Sequence, residues 1–125
     1  MAWKKASAEL INLLEQSVVN YRCDRKVMFG SPTFFVNNNM FAGVHQDTII
    51  IRLSEQDRQE IQSRYDEAAP FEPMEGHIMK EYIALPESLC HNAEILQEWL
   101  TRSYQYARSL PFKEPKRSRR KRKAS

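Results

Sequence analysis

Between Arg25 and Leu53, short apolar runs alternate with turn-forming residues at intervals too close for a helix or a crossover connection. This stretch constrains the fold more than any other. Arg25–Phe29 reads as a strand, Gly30-Ser31-Pro32 as a turn and Thr33–Val36 as a second strand. Asn37-Asn38-Asn39 supplies the next turn, since asparagine tolerates positive φ better than most residues with a side chain. Met40–Val44 follows as a strand, His45-Gln46-Asp47 as a turn and Thr48–Leu53 as a fourth strand. Connections this short force antiparallel pairing, so the segment is a four-stranded meander. In the last strand Ile49, Ile51 and Leu53 face one side, and Ile50 and Arg52 the other.

Helical spacing brackets this meander. Over residues 6–22, Leu10, Leu13, Leu14, Val18 and Tyr21 recur at steps of three and four, with Ser7 placed to cap the start. Trp3 precedes this helix. Ser54-Glu55-Gln56-Asp57 is close to a capping box and opens a polar helix to about Arg64. Residues 65–77, with Pro70, Pro73 and Gly76, read as a long loop, the kind that is often functional. Met79–Leu85 is a fifth strand, stopped by Pro86. From Asn92 to about Leu110, Ile95, Leu96, Trp99, Leu100, Ser103 and Ala107 form one stripe of a last helix, with Tyr104 and Tyr106 at its margins. That stripe is expected to pack on the sheet beside Leu10, Leu13 and Leu14. The fold class is α+β: a four-stranded antiparallel meander plus a fifth strand, flanked by an N-terminal, a short middle and a C-terminal helix.

Charge divides the chain of 125 residues into two parts. Residues 1–112 hold eleven basic and fifteen acidic side chains, a net of −4. Residues 113–125 hold eight basic side chains and one acid, a net of +7. The division predicts a folded domain over 1–112 and a disordered basic tail over 113–125. The tail run Lys116-Arg117-Ser118-Arg119-Arg120-Lys121-Arg122-Lys123 has no apolar residue and no aromatic to stack on a base. Such a run binds polyanions by counterion release, without regard to sequence. Lys116, Arg117, Arg119, Arg120, Lys121, Arg122 and Lys123 are therefore the candidate nucleic-acid contacts, against the plainer reading of a solubilising tail. Apolar runs such as Ile49-Ile50-Ile51 stay far short of the ~20 residues that a membrane span needs. The first residues lack the apolar core of a secretory signal, so a cytoplasmic setting and free thiols at Cys23 and Cys90 are expected.

Beyond the pattern, particular residues resemble a family. Arg25-Lys26-Val27-Met28-Phe29-Gly30-Ser31-Pro32-Thr33-Phe34-Phe35-Val36-Asn37 is similar to the TfoX N-terminal domain (TfoX/Sxy-like). The resemblance continues through Met40-Phe41-Ala42-Gly43-Val44 and Thr48 to Leu53. It resumes at Phe71-Glu72-Pro73-Met74, Met79-Lys80-Glu81-Tyr82, Leu85-Pro86, Trp99-Leu100 and Ser103-Tyr104, covering roughly residues 5–111. It implies a small α+β domain with no catalytic residue to carry over. Founding members are bacterial regulators of natural competence that act with a cyclic-AMP receptor protein at particular promoters. They carry a second, C-terminal helical domain, where this chain has its basic run.

Candidates for chemistry are few. Gly30-Ser31-Pro32 lacks the second glycine, the lysine and the following helix of a phosphate-cradling loop. His45, His77 and His91 fall in a turn, a loop and a helix start, without convergent metal-ligand spacing. Cys90, just before a helix, is placed for a pKa lowered by the helix dipole, whereas Cys23 is not. Lys80 and Glu81 point to opposite faces of their strand and read as edge charges that discourage aggregation. No cofactor or metal is expected. The function expected is a small cytoplasmic regulatory or interaction domain with a protein partner and nucleic-acid contact through the tail. The alternative is an enzyme with a site near the 65–77 loop.

Overall fold

Two-residue turns build the sheet. The computed structural model describes residues 7–28 and 31–112. Strands β1 (Asp24–Met28), β2 (Ser31–Val36), β3 (Asn39–His45) and β4 (Thr48–Arg52) follow one another as antiparallel hairpins. Asn37 and Asn38 both have positive φ, 53° and 61°, the combination that a two-residue turn matched to strand twist requires. Gln46 takes φ 55° in the next turn, and the Thr48 hydroxyl donates to the His45 carbonyl at 2.8 Å. Each turn is one residue shorter than its sequence reading, so Asn39 and His45 join strands. Ser31 and Pro32 likewise belong to β2, where Ser31 pairs with Met28 and its hydroxyl donates to the Val44 carbonyl at 3.0 Å. Phe29 and Gly30 lie outside the described residues.

After β4 come α2 (Glu55–Arg64), β5 (Ala69–Met74), β6 (His77–Pro86), α3 (Glu87–Cys90) and α4 (Ala93–Ser109), with α1 (Ala8–Ser17) ahead of them all. The six strands order as β1-β2-β3-β4-β6-β5. The expected loop over 65–77 is therefore wrong. Residues 69–74 pair with β6, and Gly76 turns the hairpin at φ 85°. Pro70 and Pro73 hide the strand in sequence, but β5 is a sheet edge, where a missing N–H is tolerated. β4 pairs with β6 only from Tyr82 to Pro86, so Lys80 and Glu81 lie just beyond that register, where the Glu81 carbonyl accepts from the Leu53 N–H at 2.9 Å.

The helices gather on one face. Register places Phe34, Ala42, Ile51 and Ile83 in one row across the sheet, and Val44, Ile49 and Leu85 in the next. Leu10, Leu14 and Val18 from the α1 region and Leu96, Trp99, Leu100 and Ala107 from α4 bury these rows. Leu13 is only partly buried. Helix α1 is shorter than the 6–22 reading, and the Ser17 hydroxyl donates back to the Leu13 carbonyl at 2.8 Å where it ends. Its cap is as expected, with Ser7 Oγ accepting from the Leu10 N–H at 3.2 Å. Ser54 caps α2 and Asn92 caps α4 in the same way. Among the described residues, no helix is long and apolar enough to cross a membrane.

A β-bulge explains the one buried polar residue of α4. Phe34 pairs with Ala42, but Phe35 pairs with Met40, leaving Phe41 as an extra residue on β3. Phe41 is buried and meets the rings of Tyr21 and Tyr104 at 6.3 and 5.3 Å. Ser103 enters beside the bulge, where its hydroxyl donates to the Phe41 carbonyl at 2.7 Å and accepts from the Arg52 N–H at 3.2 Å. Ser103→Ala would strand both backbone groups and is expected to cost about 1–3 kcal/mol. Urea denaturation measures this, and an unchanged midpoint would contradict the bridging role.

Candidate functional site

The chain returns three times to one end of the molecule. Beyond α1 it passes through Tyr21, Arg22 and Cys23 into β1, and the end of β2 and the last turns of α4 lie alongside. Side chains lock these segments together. The Tyr104 hydroxyl donates to the Arg22 carbonyl at 2.9 Å, and its ring stacks on Tyr21 with centroids 4.8 Å apart. The Tyr21 hydroxyl in turn meets Thr101 Oγ1 at 2.8 Å and accepts from Gln97 Nε2 at 2.7 Å. The Asn37 amide donates to the Arg108 carbonyl at 2.9 Å, and the Asn39 amide to the Pro111 carbonyl at 3.0 Å. The β2–β3 turn thus holds the chain just before the basic tail.

Between these segments lies an open groove of about 660 Å³. Residues 22–24 and 35–37 line it together with Tyr104 and Arg108 from α4, with Cys23 and Val36 facing the helices and the Phe35 side chain turned to the far face of the sheet. Lys26 Nζ lies 4.8 Å from the Phe35 ring centroid, on the face of the sheet away from the helices. Cys23 lines the groove with its thiol pKa raised, first by burial and then by the Asp24 carboxylate. It is therefore a poor nucleophile at neutral pH. The sequence carries no spacing signal for this convergence, because Arg22 and Arg108 come to line one groove only through the fold, with the Asn37 amide bonded to the Arg108 carbonyl.

The residues expected for chemistry go elsewhere. Cys90 is the last residue of α3 rather than a residue at a helix start, and it is buried. Its Sγ donates to the Leu85 carbonyl at 3.3 Å, and burial pushes the thiol up to about 12. This overturns the expected lowered pKa. A thiol reagent near pH 8 should label Cys23 slowly and Cys90 only on unfolding. Equal labelling rates in the native protein would contradict both environments. His45 packs its ring on Phe71 at 5.0 Å, and His91 Nε2 lies 3.6 Å from Glu9. His77 is exposed at the start of β6. Among the described residues, no three His, Cys, Asp or Glu side chains come together as a metal site.

Two acids in and beside the former 65–77 loop have structural partners. Glu72 accepts the Gly76 N–H at 2.7 Å, and Glu81 pairs with Arg52 at 2.6 Å. A larger network joins α2 to α4. Arg102 pairs with Glu60 at 2.9 Å, Glu98 at 3.0 Å and Asp57 at 3.2 Å, while its guanidinium lies 4.2 Å from the Trp99 ring centroid. The Arg102 hydrogen bond is the main reason that the Glu60 pKa lies below the usual carboxylate range. This contribution is present above the ordinary glutamate value and is lost as pH falls through the lowered one. The tail candidates Lys116, Arg117, Arg119, Arg120, Lys121, Arg122 and Lys123 lie outside the described residues.

A sequence profile of the TfoX N-terminal domain matches residues 19–107, from just after α1 to the last turn of α4. The chain belongs to the TfoX N-terminal domain family. Every strand of the sheet and the whole groove except Arg108 fall within the TfoX N-terminal match. Helix α1 precedes it and still supplies Leu10 and Leu14 to the core. No curated protein matches the chain.

Proposed function

We propose that this TfoX N-terminal domain is a small cytoplasmic regulatory or interaction module that contacts nucleic acid non-specifically through its basic tail. The observation that carries the reading is the charge division, −4 over residues 1–112 against +7 over residues 113–125. Its geometric support is the Asn39–Pro111 hydrogen bond, which fixes the root of the tail to the folded body. A protein partner is part of the reading. It is supported by β1, an exposed edge strand that carries Val27 and Met28 in solvent.

The affinity follows from counterion release. If all seven cations of the 116–123 run met duplex phosphates, log K would fall with log[salt] at a slope of roughly −6. The body's acids compete for the same cations, so binding is micromolar or weaker and the slope shallower than this bound. Unrelated duplexes should bind alike, because phosphate contacts carry no sequence information. Titration of labelled duplexes at several salt concentrations tests this, comparing the full chain with one that ends at Phe112. Equal affinity of the two chains would end the reading, as would a slope near zero.

A further inference from the structure

Strand β1 is an open edge of the sheet, and the hairpins decide which of its backbone groups face outward. Val36 and Asn39 close the two-residue Asn37-Asn38 turn, so Pro32, Phe34 and Val36 bond toward β3, and Ser31, Thr33 and Phe35 toward β1. Their partners on β1 are Met28, Lys26 and Asp24. Pro32 faces Val27 and has no N–H to give it. The N–H and C=O groups of Arg25 and Val27 therefore point off the sheet. All five residues of β1 are exposed, Val27 by 62%. Edges of this kind are ordinarily blunted by outward charges. Here the Arg25 guanidinium turns back to Glu15 at 2.7 Å, and Lys26 lies over Phe35. Asp24 and Lys26 share the face away from the helices, and among the described residues neither has an ion pair.

We infer that β1 pairs antiparallel with β1 of a second copy of this chain, about a two-fold axis at Arg25. The inference deepens the proposed protein contact at β1 and rests on it. Charge selects the register. With Arg25 opposite Arg25 of the second copy, Asp24 of each chain faces Lys26 of the other. These are positions without mutual backbone bonds, where facing side chains come closest, so two cross-strand ion pairs form. Arg25 and Val27 supply the backbone bonds, and Val27 lies opposite Cys23 of the second copy. Each Arg25 brings its own Glu15, so two carboxylates neutralise the two facing guanidiniums. An axis at Lys26 would set Lys26 against Lys26 and Asp24 against Met28. An axis at Val27 would set Lys26 against Met28 and leave both charges unpaired. The Arg25 register gives a closed, self-complementary contact that joins the two sheets into one. A single short strand from each copy makes a small contact, so the dimer is weak and concentration-dependent.

Sedimentation velocity of the full chain over a concentration series tests this. The parent should shift from monomer to dimer as concentration rises. Asp24→Lys and Lys26→Asp should each weaken dimerisation at least about tenfold, because two attractions become two repulsions. Mixed in equal amounts, the two variants should form a heterodimer, since every facing pair is again of opposite sign. Recovery on mixing excludes misfolding as the cause of either loss. Val27→Pro removes an N–H that has no partner within the sheet, so this variant should stay folded and monomeric. A parent that is monomeric at every concentration would overturn the self-pairing while leaving β1 open to a different protein. Dimerisation that Val27→Pro and both charge variants leave unchanged would place the contact on another surface. That result would overturn the self-pairing and also remove the support that β1 gives the protein-partner reading. Charge variants that stay apart on mixing would overturn the pairing about Arg25.

Discussion

Trp99→Ala is expected to destabilise the domain by about 3–5 kcal/mol, with a fall in Tm of at least about 12 °C. The indole is wholly buried, inside the layer that α4 presents to the sheet. Truncation leaves a cavity that Leu96, Leu100 and Ile61 cannot fill without moving backbone. A second loss adds to it. Arg102 lies over the indole at 4.2 Å and Arg64 at 5.6 Å, and both belong to the ion-pair network that ties α2 to α4. Without the ring, the two guanidiniums lose the surface that orients them. Among the described residues the indole N–H has no partner, so Trp99→Phe forfeits no hydrogen bond there and should be much milder. Equal melting temperatures for Trp99→Ala and the parent would show that the stripe does not carry the fold.

Phe41→Ala should cost a comparable ~3–5 kcal/mol and alter the groove as well. Phe41 is the bulged residue of β3, fully buried, with its ring edge-on to Tyr21 and Tyr104. Its removal leaves the Tyr21–Tyr104 stack unsupported from below. Tyr104 lines the groove, so loss of stability and a change in the surroundings of the tyrosine pair should come together in this variant. Phe41→Leu, which keeps most of the volume, should retain more of both. Chemical denaturation and the near-ultraviolet circular dichroism of the tyrosine pair report the two effects. A Phe41→Ala variant as stable as the parent would contradict the bulge's role in the core.

Much of this architecture is legible in the residues. Asn37-Asn38 could only be a turn, because few other residues accept positive φ twice in succession. The step from Leu96 to Trp99, Leu100, Ser103 and Ala107 could only be a buried helical stripe. Residues 69–74 were opaque for a physical reason: proline depresses strand propensity everywhere except at the edge, and edge position is a property of the finished sheet. Cys90 misled in the same way. A position just before a helix suggests dipole activation, but the intervening α3 turn buries the thiol against the Leu85 carbonyl. The bulge at Phe41 and the Ser103 bridge exist only once two strands and a helix have met. The groove is the extreme case, since it depends on two arginines far apart in sequence and on an asparagine bond across the fold.

The role we propose for this TfoX N-terminal domain is contact with nucleic acid through the basic run that follows Pro111. Its most direct test is the salt dependence of duplex binding by the full chain and by the chain ending at Phe112. Both chains should first melt cooperatively at nearly the same temperature, because the core lies within residues 10–107. The account predicts weak, sequence-blind binding by the full chain, with a steep negative salt slope no steeper than roughly −6, and loss of that binding in the shorter chain. Identical affinities, or binding by the full chain that ignores salt, would contradict it.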